Sequence, residues 1–149
     1  MSDEEDDMSV IAMEDVPRVA HAHMQAVHAS EVEVLDALGE AIETHRAGDA
    51  TATIDAALGV LLEHVEAHFE GENRMMEAAG FPALPVHVGE HRRVLARLQE
   101  VLADWRSTRD VSALANYFFD EHMDWMMQHI STMDFVTAQF LSMRGVTAP

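Results

Sequence analysis

Residues 54–76 read IDAALGVLLEHVEAHFEGENRMM. Ile54, Leu58, Leu61, Val65, His68, Glu72, Met75 and Met76 recur along it in steps of three and four. That spacing marks one inward face of an amphipathic helix. The face is not purely apolar, because it carries an imidazole and a carboxylate four residues apart. Burying such groups is costly unless they are paired or bound to a metal. This helix is expected to start near Asp49 or Thr51. It should end before Gly80-Phe81-Pro82-Ala83-Leu84-Pro85, where two prolines forbid a helix interior. Gly71 costs about 1 kcal/mol of helix propensity within the pattern.

Three more segments show the same period. Pro17 suits a first helical turn, and Met24, Val27, His28, Glu31, Val32, Leu35, Leu38 and Ile42 follow, up to a stop at residues 46–49 around Gly48. A third helix is expected from Pro85 to Trp105, with His87, His91, Val94, Leu95, Leu98 and Leu102 inward. A fourth should span about 110–142, capped by Asp110 or Thr108, with Leu114, Phe118, His122, Trp125, His129, Met133, Val136 and Phe140 on its stripe. No segment alternates with period two as a strand does. Four helices with short connections predict an all-α, antiparallel up-down-up-down four-helix bundle. Residues 1–15 read as an acidic flexible arm, 16–143 as the bundle and 144–149 as a frayed tail.

Composition narrows the function classes. The chain has 149 residues and is 48% hydrophobic, enough for one domain with a real core. Its formal charge of −18 leaves no basic stripe for nucleic acid and no cationic patch for anionic membrane. With zero cysteines, disulfides, thiolate catalysis and Cys-ligated metals are excluded. The acidic run at 3–7 is the reverse of a basic export signal, and no stretch reaches 18 apolar residues. The default expectation is a cytoplasmic protein without a membrane or nucleic-acid partner; no protein partner is indicated.

The polar residues inside the stripes carry the chemistry. They are His28, Glu31, His68, Glu72, His87, His91, His122, His129 and Asp134. Nine such groups facing one interior call for a cation. His87 and His91 are four apart, so both rings can grip one ion. His129 and Asp134 are five apart, about 140° around an α-helix, so Asp134 is expected to reach sideways toward a second ion. Imidazole and carboxylate ligands suit iron, manganese or zinc. Each pair alone is a weak signal; their combination on four helices predicts a dinuclear site. His64 also sits four before His68, but Phe69 and Glu72 favour His68 as the ligand. His21, His23 and His45 are expected near helix ends and solvent, and the methionines as adaptable core filler.

The segments VHASEVEVLDAL around His28, HFEGENRMM at 68–76, HVGEH at 87–91 and WMMQHISTMD at 125–134 resemble hemerythrins, specifically the single-domain bacterial form. The resemblance covers about residues 17–142. It implies one iron on His87, His91 and His129 and another on His28 and His68. It further implies that Glu72, Asp134 and an oxo or hydroxo group bridge the two irons. The second iron would keep an open position for reversible dioxygen binding, in a ligand-binding metalloprotein rather than an enzyme. Oxygen, redox or nitric-oxide sensing, and di-iron peroxidase- or oxidase-type chemistry, stay open as alternatives. Glu31 departs from the family pattern, in which an apolar residue is common. It is either a group behind the ligands or a further ligand near the open iron, or else a carboxylate that reaches the bundle edge or hydrogen-bonds His122 or another non-ligand histidine. His122 is expected in the core or behind the ligands, and Trp125 packed over the site.

Overall fold

The computed structural model describes residues 11–46 and 51–149. Four long helices are present among them: α1 (Ala22–Arg46), α2 (Ala52–Ala79), α3 (Leu84–Thr108) and α4 (111–143). They form the expected four-helix bundle. The acidic run at 3–7 and the stop around Gly48 lie outside the described residues.

Local chemistry explains most helix ends. α2 stops at Gly80, whose left-handed backbone (φ 66°, ψ 42°) favours glycine. Its turn is closed by Phe81 N donating to Met76 O at 2.9 Å. α3 begins at Leu84 with Pro85 in the first turn, where the missing N–H costs nothing. It runs one turn past Trp105, to Thr108. Asp110, rather than Thr108, caps α4, since its Oδ1 accepts from Ser112 N and Ala113 N, each at 3.1 Å.

α1 starts later than expected from Pro17. His21, expected near solvent, is instead buried at 6% exposure. Its Nδ1 accepts from Met24 N at 3.2 Å, so the imidazole caps the helix. Residues 11–15 contain a short 3₁₀ turn, Met13–Asp15, and Ile11 and Met13 pack against the core. Beyond Gly145 the chain leaves helix, but His21 Nε2 donates to Val146 O at 2.7 Å, fixing that segment against the start of α1.

Pairings between helix ends establish direction. Asp55 at the start of α2 accepts from Trp105 Nε1 (2.8 Å) and Arg109 (2.6 Å) at the end of α3. Ser142 at the end of α4 donates to Ala20 O, just before α1. The interior divides along the bundle axis. Leu35, Leu38, Ile54, Leu61, Leu98 and Leu114 fill one half with apolar side chains, all 2% exposed or less. The candidate ligands occupy the other half, near the start of α1 and α3 and the end of α2 and α4.

α4 is not a uniform α-helix. It widens into π turns at Tyr117–His122 and Ile130–Asp134, the second marked by Phe135 N donating to Ile130 O. Such turns cluster at functional sites because they re-aim side chains. No helix among the described residues is long and apolar enough to cross a membrane.

Loss of the α4 cap should be measurable. Asp110→Ala is expected to lower unfolding free energy by about 1 kcal/mol in a denaturant titration, and Asp110→Asn by less.

Candidate metal centre

Two groups of side chains share one interior. Glu72, His87, His91, His129 and Asp134 offer ligand atoms within 4.8 Å of one another. His28, His68, Glu72 and Asp134 form the second such group. All are buried, and Glu72 and Asp134 belong to both.

The two carboxylates divide their oxygens between the groups. Glu72 Oε1 lies 3.5 Å from His87 Nε2 and 3.3 Å from His91 Nε2. Asp134 Oδ1 lies 3.2 Å from His87 Nε2 and 3.1 Å from His129 Nε2. The second oxygens turn the other way. Glu72 Oε2 is 2.6 Å from His68 Nε2, and Asp134 Oδ2 is 3.1 Å from His28 Nε2. One side therefore gathers three imidazoles with two carboxylate oxygens, and the other gathers two imidazoles with two. This is the arrangement of a carboxylate-bridged dinuclear site.

The π turn makes this possible and corrects the sideways geometry expected for Asp134. Widening the turn brings residues five apart onto nearly the same face. Asp134 thus meets His129 directly while its other oxygen meets His28.

The outer ring nitrogens show why the inner ones are free to bind metal. His91 Nδ1–H donates to Asn73 Oδ1 at 2.8 Å. His68 Nδ1–H donates to Glu31 Oε1 at 2.9 Å. His87 Nδ1 lies 2.8 Å from the Thr137 hydroxyl. A proton held on Nδ1 leaves the Nε2 lone pair pointing inward and fixes the ring. His91 Nε2, Glu72 Oε1 and Asp134 Oδ1 are buried without a hydrogen-bond partner among the described residues. Three orphaned acceptors converging in one place fit a cation better than any neutral arrangement.

Burial favours neutral carboxyls here, yet the imidazoles of His129, His28 and His87 around Asp134 hold it well below the usual carboxylate range. Glu72 is also lowered, against both burial and the nearby Asp134 charge, chiefly by His68. Burial opposes charge on His68, but Glu31 and Glu72 outweigh it and raise its pKa. A metal at His68 Nε2 would take the place of that proton. Burial dominates at His91 and lowers it.

Aromatic rings wall the three-imidazole side. Phe69 stacks on His91 with centroids 4.1 Å apart, and Trp125 stacks on His129 at 4.6 Å. Trp125 Nε1 donates to Glu90 Oε1 at 2.7 Å, which sets the indole angle.

Glu31 is in neither ligand group; its carboxylate sits behind His68, with His64 Nδ1 3.5 Å from the same oxygen. Burial opposes its charge, but His68 and His64 keep Glu31 strongly acidic. His122 is buried, its Nδ1 3.3 Å from the Tyr117 hydroxyl. Asn73 and Thr137 escaped the sequence reading. Thr137 could have been found, since it lies three residues after Asp134 on the inward stripe.

Residues 19–141 match the family described as the hemerythrin HHE cation binding domain. A bacteriohemerythrin of Ralstonia nicotianae (strain ATCC BAA-1114 / GMI1000) is 34% identical over 141 residues, covering 95% of this chain and 96% of the relative. A bacteriohemerythrin of Aquifex aeolicus (strain VF5) is 28% identical over 126 residues, covering 85% and 93%. A myohemerythrin of Sipunculus nudus is 32% identical over 80 residues, covering 54% and 59%. No solved structure matches at a significant level.

Removing an outer partner should loosen the ligand it holds. Asn73→Leu and Glu31→Leu are each expected to weaken metal retention by roughly 10–100-fold in a chelator competition, with Glu31→Gln recovering part of the loss.

Proposed function

The chain belongs to the hemerythrin family, and we propose that His28, His68, Glu72, His87, His91, His129 and Asp134 hold two iron ions at which dioxygen binds reversibly. The observation that carries this reading is the division of the carboxylate oxygens: Oε1 and Oδ1 face three imidazoles, and Oε2 and Oδ2 face two. An ion facing three imidazoles and the carboxylates would have little room for another ligand, while one facing two imidazoles would leave room for an outside ligand. Two ferrous ions held by these residues would supply the electrons for reversible dioxygen binding.

The chain's own residues make that reversible. Neutral imidazoles and only two ligand carboxylates limit negative charge at the site. Asn73, Thr137 and Glu31 hold ring orientations, so little rearrangement accompanies binding. Phe69 and Trp125 keep bulk water from the three-imidazole side. Glu31 takes the outer nitrogen of His68, and it serves here as a positioning residue rather than as a ligand. That placement favours carriage over turnover, because Glu31 neither joins the ligand groups nor holds a proton to deliver there. The functional unit on this reading is the bundle of residues 16–143, against which Ile11 and Met13 also pack.

One anaerobic titration tests the proposal. The purified chain is loaded with ferrous iron, the metal is counted, and oxygen is admitted and then removed while the optical spectrum is recorded. Two irons per chain and an oxygen-dependent charge-transfer band that comes and goes are expected. Immediate oxidation without a lasting adduct would overturn reversible binding.

A further inference from the structure

Gly71 is poorly explained by the helix it occupies. It sits deep inside the 28-residue α2, at no left-handed backbone, where glycine weakens a helix. The reason for it is close approach. A Cβ at position 71 would stand 3.2 Å from Cγ of Pro149, tighter than ordinary van der Waals contact. The chain after α4 therefore lies directly on the glycine.

That contact borders a cavity of about 240 Å³ between α1 and α2. Met24, Val27, Ala67 and Met75 make its apolar walls. Its buried side is formed by His68 and Glu72, and its solvent side by Pro149 together with the half-buried His23 and His64 and the exposed Ala67. The cavity thus leads from solvent to the metal position with only two imidazoles.

The segment carrying Pro149 is anchored. His21 Nδ1 accepts from Met24 N, so the ring proton is on Nε2 and donates to Val146 O at 2.7 Å. Val146 N donates to Leu141 O at 3.0 Å, and the Val146 side chain packs against the core. Thr147 and Ala148 are exposed, so residues 147–149 arch from this anchor to Gly71.

We propose that residues 146–149, seated on Gly71 and tied down by His21, set the width of the small-ligand entrance to the two-imidazole metal position. Diatomic gases and narrow linear anions pass this entrance; planar ring ligands are held back. The inference rests on the di-iron reading above.

The test uses the full chain loaded with iron and oxidised, mixed rapidly with azide or with imidazole. Intact protein should admit azide readily and imidazole slowly. Deleting residues 146–149 frees the entrance directly. His21→Asn keeps a helix-capping side chain but cannot reach Val146, and so frees it indirectly. Gly71→Ala moves Pro149 by only a few tenths of an ångström and adds a methyl to the lining, so it should change imidazole binding little. The deletion and His21→Asn should each speed imidazole binding by at least about tenfold while azide changes little, as expected for removal of a lid. The Met24 and Met75 methyl resonances should shift in both of these variants, a readout independent of ligand binding. Two irons per chain with unchanged imidazole rates in these two, or unmoved Met24 and Met75 signals, would overturn the entrance alone. Failure to load two irons would overturn the di-iron reading and the entrance with it.

Discussion

Glu72 and Asp134 place two carboxylates side by side in the interior of a small bundle, each 2% exposed or less. Isolated buried charges of like sign are among the least tolerable arrangements in a protein. Five imidazoles surround these two, and each carboxylate oxygen faces at least one ring nitrogen. Everything else near the site serves that constraint. The outer partners Asn73, Glu31 and Thr137 hold three of the rings. The π turn at Ile130–Asp134 swings Asp134 between both sets of rings.

The other half of the bundle meets a complementary demand. Polar residues at one end contribute little hydrophobic burial, so stability must come from elsewhere. Leu35, Leu38, Ile54, Leu61 and Leu98 provide it, and the Asp55–Trp105–Arg109 cluster closes that end. A well-packed apolar half lets the ligand half be organised for binding geometry rather than for packing. Rigid helices then deliver each ligand to a fixed place, as a precise site requires.

The bundle was legible from helical spacing, because four inward stripes with short breaks leave few other folds. The clustering of these side chains was legible because His68 with Glu72, and His87 with His91, stand one α-helical turn apart. The position of Asp134 was harder to read. Five residues imply an offset of about 140° around an α-helix, and nothing in ISTMD announces that the helix widens there. Glu31 was visible as an oddity, but its choice of the outer nitrogen of His68 depends on how α1 and α2 pack. The late start of α1 reflects His21 acting as a cap, a role histidine seldom signals by position alone. Gly71 showed only as a cost along α2; its cause lies 78 residues away at Pro149.

The central claim is that Glu72 and Asp134 each join two metal positions. Anomalous-scattering crystallography of the iron-loaded chain tests it most directly. Two iron peaks about 3.5–4 Å apart, the separation of two-metal sites, should lie on either side of these carboxylates. One should be within bonding distance of His87, His91 and His129, the other of His28 and His68. A single peak, or an iron held by Glu31 and His64 instead, would contradict it.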